Sequence, residues 1–255
     1  MYIINEEVLE NPKINLDEGF FFGGGAFETI LLNGNKPILL KEHLERLNNS
    51  LKKLFIDKKV EEDYIISLIK AGNFENCALK VVVSKDNIVV CNREVSYKEE
   101  HYEEGFSLKI GDIRRNPYSH TTYIKSLNYY DNIIEKKKSK EEGYDEVIFL
   151  NTENKLAEGA TTNLFFIKDK KICTPAMQCG ILPGVIRNYL IHNLKEMYTL
   201  EEGVYTLEDL FSSDGVFLTN SILGVMKVKS IEGRFIINNS KVNEIRELYM
   251  KSLEL

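Results

Sequence analysis

Short turn sequences cut this chain into strand-length pieces, and that punctuation limits the fold more than any other feature. Asn33-Gly34-Asn35, Lys85-Asp86-Asn87, Asn151-Thr152-Glu153-Asn154, Asp169-Lys170 and Glu232-Gly233-Arg234 each separate two apolar runs, as hairpin turns do. The runs predict strands over 26–32, 37–40, 77–84, 88–95, 107–113, 146–150, 155–159, 163–168, 171–174, 215–219, 225–231 and 235–237. Tyr2–Ile4 reads as a short edge strand. Helical spacing appears between them. Over 41–55, Leu44, Leu47, Leu51 and Leu54 form one apolar stripe. Further helices are predicted over 61–71, from Lys125 toward Gly143, from the Gly184 loop to about Met197, and over 242–253. In the Lys125 helix the face is read from Tyr130, Ile133, Ile134 and Lys137. The order is mixed α+β, without internal repeats or low-complexity segments. It suggests a smaller N-terminal domain over 1–116, a polar linker over 117–122 behind Asn116-Pro117, and a larger domain over 123–255.

A chain of 255 residues buries a sizeable core, and 43% hydrophobic with 28% charged residues is ordinary for a globular protein. A net charge of -6 offers no basic field, so neither nucleic acid nor an acidic membrane is expected as a partner. No apolar run reaches membrane-spanning length. The first residues, MYIINEEVLENPKINL, lack the basic-then-apolar plan of a secretory signal. The four cysteines show no metal-ligand spacing, and Cys77 and Cys91 sit in strand-like runs as core thiols. A reducing, cytoplasmic setting is the expectation.

Several residues carry possible chemistry. Lys125 stands where an extended piece turns into a helix, behind Ile124. A lysine there is either a solvated helix-start charge or an amine in a dry pocket, where desolvation lowers its pKa. Gly23-Gly24-Gly25 permits a close backbone approach or a bend. In the strand after it, Phe27 and Thr29 share one face and Glu28 takes the other. Arg46 lies beside the leucine stripe, on the side of His43 and Ser50, as a surface charge or an anion ligand. Gly180, Pro183 and Gly184 precede a helix, as an ordinary loop-to-helix junction or as an anion site at the amides of Val185 and Ile186.

Six segments, in order, resemble the class IV aminotransferase family, the pyridoxal-phosphate enzymes of fold type IV. They are DEGFFFGGGAFETI, EHLERL, IKSLNYYDNI, EGATTNLFFI, CGILPGVIR and FLTNSI. The resemblance spans nearly the whole chain. It implies a two-domain α+β fold like that of the D-amino-acid aminotransferases, with pyridoxal 5′-phosphate in the cleft between the halves, and a homodimer. Lys125 matches the Schiff-base lysine and Glu158 the carboxylate facing the pyridine nitrogen. Arg46, the amides of Val185, Ile186 and Ile222, and the Ser221 hydroxyl match phosphate ligands. Tyr129 lies near a tyrosine position on the coenzyme ring oxygen. Asn163 is expected to prop the EGATTN turn. Among subgroups, the D-amino-acid aminotransferases share KSLN but use an Arg-x-His carboxylate trap, where this chain has Ser84-Lys85-Asp86-Asn87-Ile88. The branched-chain aminotransferases carry Gly-Thr-Ala in place of Thr219-Asn220-Ser221. Arg115-Asn116-Pro117 and Asn220 resemble the 4-amino-4-deoxychorismate lyases. That likeness implies substrate contacts at Phe27, Thr29, Arg115 and Asn220, with Thr29 as a proton donor. A binding relative without turnover is disfavoured by the joint presence of Lys125 and Glu158.

Overall fold

The structure, a computed structural model, describes residues 1–236 and 240–255. The chain divides into two compact units, Met1–Ser96 with Ile124–Tyr129, and Tyr97–Tyr123 with Tyr130–Leu255. The first unit carries six antiparallel strands: β1 (Tyr2–Ile4), β2 (Glu7–Leu9), β3 (Gly25–Asn33), β4 (Lys36–Pro37), β5 (Ala78–Ser84) and β6 (Ile88–Arg93). Their order is β2-β1-β6-β5-β3-β4. Its helices are α1 (Glu18–Phe22), α2 (Leu40–Lys53) and α3 (Glu62–Ala71). The predicted leucine stripe of α2 is buried at Leu44, Leu47 and Leu51, in one core with Ile30, Leu79 and Val81 of the sheet. Each such side chain contributes about 1.5–3 kcal/mol by leaving water.

Two expectations change here. Tyr2–Ile4 is not an edge strand, because Asn5 and Glu6 adopt φ of 47° and 76° and turn the chain back into β2, which takes the edge. Residues 18–22, where the sequence predicts no element, form a helical turn. The Asp17 carboxylate caps it from the N–H groups of Gly19 and Phe20, and Gly23 at φ 69° ends it. Five residues are too few for a periodic signal, so only the cap pattern could have shown it.

The second unit is built on a mixed sheet. Its described strands are β7 (Phe106–Arg115), β8 (Glu146–Asn151), β9 (Leu156–Gly159), β10 (Asn163–Lys168), β11 (Lys171–Pro175), β12 (Leu200–Gly203), β13 (Gly215–Asn220), β14 (Gly224–Ile231) and β15 (Arg234–Phe235). They run β12-β11-β10-β13-β14-β7-β8-β9, with β15 on β14. Helices α4 (Glu99–Glu104), α5 (Tyr130–Glu141), α6 (Val185–Leu194), α7 (Leu207–Phe211) and α8 (Ser240–Leu253) accompany it. Every residue of β8 is buried, which explains its unbroken apolar run.

The segment 107–113, assigned from sequence to the first half, belongs to the second. As β7 it pairs in parallel with both β14 and β8, and long-range pairing of that kind leaves no local trace. The helix after Lys125 begins at Tyr130, and its buried face is not the predicted one. Asn132, Glu135 and Ser139 are inside, while Tyr130 and Ile134 are exposed. Polar partners decide this: Asn132 Nδ2 donates to Ala160 O at 2.6 Å, and Glu135 Oε2 accepts the Asp112 N–H at 2.9 Å. Residue 237 of the predicted last strand lies outside the described residues. The short polar elements α4, β12 and α7 were not anticipated. No described helix is long and apolar enough to cross a membrane.

Candidate active site

Residues 124–129 join the first unit as an extended segment laid against the start of β3. The Phe27 N–H donates to Lys125 O at 2.8 Å, and the Leu127 N–H to Gly25 O at 3.0 Å. The glycine run makes this approach possible. A Cβ on Gly25 would stand 2.6 Å from Val83 O and 2.8 Å from Leu127 Cδ1, and one on Gly23 would stand 2.8 Å from Asn128 Oδ1. Both readings of the run, bend and close approach, are realised, and what approaches is the lysine segment. Ile124 is buried behind Lys125, whose own side chain is half-buried. Its Nζ lies 4.5 Å from the ring centroid of Phe27 and 5.1 Å from that of Tyr129. The two rings meet edge to face at 5.4 Å.

Phe27 and Thr29 share a face of β3 as expected. Lys80, which sequence reasoning missed, stands directly opposite Thr29 on β5 and so shares that face. Its Nζ lies 4.8 Å from the Phe27 centroid. Only the cross-strand register reveals it.

The other face of β3 holds a buried charge cluster. Glu28 is fully buried. Its Oε1 accepts from Arg46 Nε at 2.8 Å, and its Oε2 from Arg46 Nη2 and His43 Nδ1, both at 2.6 Å. Burial pushes the Glu28 carboxyl up, but the charge of Arg46 and the hydrogen bonds from Arg46 and His43 outweigh it and hold it at about 2. Burial pushes His43 down, against the pull of Glu28, and the charges of Arg46 and Lys125 add to the downward side. A neutral His43 donating from Nδ1 fits its other nitrogen, because Nε2 is buried without a partner and an orphan acceptor costs less than an orphan N–H. Glu28 therefore makes a pH prediction. A carboxylate whose folded pKa is depressed stabilises the fold above its ordinary 4.5, and that contribution is lost as pH falls toward about 2. The loss should be on the order of 3 kcal/mol. Urea unfolding across that window measures it. An acid profile of Glu28→Gln that overlays the parent's would show that the carboxylate contributes nothing.

In the second unit Glu158 is buried and fully engaged. Oε1 accepts from Arg115 Nη2 at 2.6 Å, and Oε2 from the Leu182 N–H at 2.9 Å and Asn163 Nδ2 at 3.1 Å. Arg115, expected on the substrate side, is thus the ion partner of Glu158, with Nη1 also donating to Asn132 Oδ1 at 3.2 Å and its guanidinium over the Phe149 ring. Asn163 does more than prop its own turn. It also donates to Leu182 O at 3.0 Å, tying Glu158 to the loop that enters α6. Gly184 is the N-cap of α6 and no side chain caps the helix, so the N–H groups of Val185 and Ile186 have no partner within it.

Asn163 also pairs in register with Thr219, which places the α6 loop and the turn after β13 at the same end of the sheet. That turn corrects two assignments. The Ile222 N–H, expected to face phosphate, donates to Asn220 Oδ1 at 2.8 Å, as does that of Leu223 at 2.9 Å. Asn220, expected at the substrate, uses its Nδ2 on Thr161 O at 3.1 Å. Its side chain is the scaffold of the turn that presents Ser221. The Thr219 hydroxyl beside it is buried without a partner. Each unit by itself carries groups that suit pyridoxal 5′-phosphate: the first a partly buried amine, Lys125, and the second a fixed carboxylate, Glu158, and the uncapped start of α6. Among the described residues no cluster of His, Cys, Asp and Glu is placed to hold a metal ion.

Comparison with known proteins agrees. The model of the family described as amino-transferase class IV matches residues 25–231. The aminodeoxychorismate lyase of Bacillus subtilis is 32% identical, over 91% of this chain and 87% of its own. A Methanocaldococcus jannaschii relative, described as a branched-chain-amino-acid aminotransferase, is 29% identical over 92% and 88%. The crystal structure of 4-amino-4-deoxychorismate lyase from Pseudomonas aeruginosa, at 19% identity, shares the fold with a TM-score of 0.90 across 100% of both chains. With the motifs in order, the strand-seated lysine and the buried glutamate all in place, this chain belongs to the class IV aminotransferases, the fold-type IV family of pyridoxal-phosphate enzymes.

Proposed function

We propose that this enzyme is a 4-amino-4-deoxychorismate lyase, releasing 4-aminobenzoate and pyruvate. One observation carries the choice. Where the D-amino-acid aminotransferases place their Arg-x-His carboxylate trap, this chain builds a site around a carboxylate of its own. Asp17 Oδ2 accepts from Ser84 Oγ at 2.6 Å, the Asp86 N–H at 2.8 Å and Asn87 Nδ2 at 3.1 Å. An acidic group there cannot do the work of an Arg-x-His trap, which sets the chain apart from the D-amino-acid aminotransferases. The 32% identity to the Bacillus lyase supports the same reading.

Pyridoxal 5′-phosphate, when bound, supplies the electron sink for charge left on the substrate's amine-bearing carbon. The chain supplies the rest. Lys125 Nζ is the attachment point and then the base that takes the proton from that carbon. Glu158, ion-paired with Arg115, would face the pyridine nitrogen. Arg46, the amides of Val185 and Ile186 and the Ser221 hydroxyl would hold the phosphate. Tyr129 is the candidate partner of the ring oxygen. Lys80 offers a cation to one substrate carboxylate from the face it shares with Thr29. Thr29 has the place and the hydroxyl to deliver a proton to the departing pyruvyl carbon.

The products test this. Coenzyme-loaded protein given 4-amino-4-deoxychorismate should form 4-aminobenzoate and pyruvate in equal amounts, with no keto acid required. Efficient amino transfer from D- or branched-chain amino acids to 2-oxoglutarate, with no aminobenzoate, would move the chain to the aminotransferases. The Methanocaldococcus relative makes that the second reading.

A further inference from the structure

We propose that Glu28 is a positioning residue that, braced by His43, fixes the orientation in which Arg46 presents its guanidinium to the coenzyme phosphate. The inference rests on the assignment of Arg46 to that phosphate. Glu28 lies on the opposite face of β3 from Phe27 and Thr29, so it does not belong to the substrate face. It is nonetheless completely buried, and both of its oxygens are used. A buried carboxylate with no function is costly and rarely kept, since an apolar residue of similar volume stabilises as well.

The geometry supplies the function. Arg46 meets Glu28 through Nε and Nη2, the side-on edge of the guanidinium. Two parallel bonds at 2.8 and 2.6 Å stop the planar group from rotating. A phosphate would then meet the guanidinium away from the edge that Glu28 holds. His43 fixes the carboxylate in turn. It rises from the same helix three residues before Arg46, and its Nδ1 holds Oε2 at 2.6 Å. Ser50 Oγ, four residues after Arg46, donates to Arg46 O at 2.7 Å. Glu28 also offsets the arginine's charge, so Arg46 recognises the phosphate more by direction than by net charge.

The test separates phosphate recognition from coenzyme binding in general. Dissociation constants of pyridoxal 5′-phosphate and of pyridoxal, which lacks the phosphate, are measured for the parent, Glu28→Asp, Glu28→Gln and Arg46→Ala, with folding checked by thermal unfolding. Glu28→Asp keeps the charge but withdraws it by one methylene. In the parent the phosphate should improve affinity strongly, and both Glu28 variants should reduce that advantage by about tenfold, with pyridoxal affinity held within about twofold. Glu28→Asp is the decisive variant if Glu28→Gln does not fold. Adding Glu28→Asp to Arg46→Ala should cost nothing further, because the two act as one unit. A parent-like phosphate advantage in Glu28→Asp, alongside its loss in Arg46→Ala, overturns the positioning role and leaves Arg46 on the phosphate. An unchanged advantage in Arg46→Ala removes the assignment of Arg46 itself.

Discussion

Lys125→Ala is expected to abolish covalent attachment of pyridoxal 5′-phosphate and to lower turnover by at least about 10,000-fold. The loss should be chemical and not structural. What seats the segment is main chain: the bonds from Phe27 N–H to Lys125 O and from Leu127 N–H to Gly25 O survive the substitution. The lysine side chain is only half-buried, so its truncation leaves a shallow dent and not a core cavity. Borohydride reduction of the loaded parent, followed by peptide mapping, should place the label on the peptide containing Lys125. The same treatment of the variant should leave none, at an unchanged unfolding temperature. A competing amine stands close by, since the Lys80 Nζ is 4.8 Å from the same Phe27 ring that Lys125 approaches at 4.5 Å. Label found on Lys80, or anywhere but Lys125 in saturated parent protein, would overturn the assignment.

Much of this frame is legible in the sequence, because it is written in local patterns. The leucine stripe of α2 has a helical period, and its burial follows. The hairpin of β5 and β6 closes on Lys85-Asp86-Asn87 where the turn residues put it. Motif order also singles out Lys125 and Glu158, since each lies within a continuous run. What failed was information held between runs. Glu28 and Arg46 are 18 residues apart, and nothing in either segment says that a strand and a helix will bring them to 2.6 Å. Arg115 and Glu158 meet across 43 residues. Asn220 misled for a different reason. An asparagine in a turn can reach a ligand or its own backbone, and the bonds to Ile222 and Leu223 show the local choice won. The α5 face failed because periodicity ranks apolar positions, whereas hydrogen-bond partners at Ala160 and Asp112 drew Asn132 and Glu135 inside.

Arg115→Met should destabilise the protein, free of coenzyme, by about 3–5 kcal/mol, because it strands a buried charge. The Glu158 side chain is 4% exposed and that of Arg115 18%, so solvent screens the pair little. Methionine keeps the contact with Phe149 but removes the bonds to Glu158 Oε1 and Asn132 Oδ1. Of these partners Glu158 would retain Asn163 and the Leu182 amide, two neutral donors on one oxygen. Adding Glu158→Gln to Arg115→Met removes the stranded charge and should recover most of the loss, so the double variant should be more stable than Arg115→Met alone. Urea unfolding of the parent, both single variants and the double variant gives the coupling directly. If Arg115→Met costs less than about 1 kcal/mol, Glu158 does not depend on its arginine and the buried pair is no stronger than an exposed one. A strong coupling would mean that the fold itself holds Glu158 as an oriented anion before any coenzyme arrives. That is the state a partner of a protonated ring nitrogen must have, and it gives Arg115 a reason to be present that requires no contact with substrate.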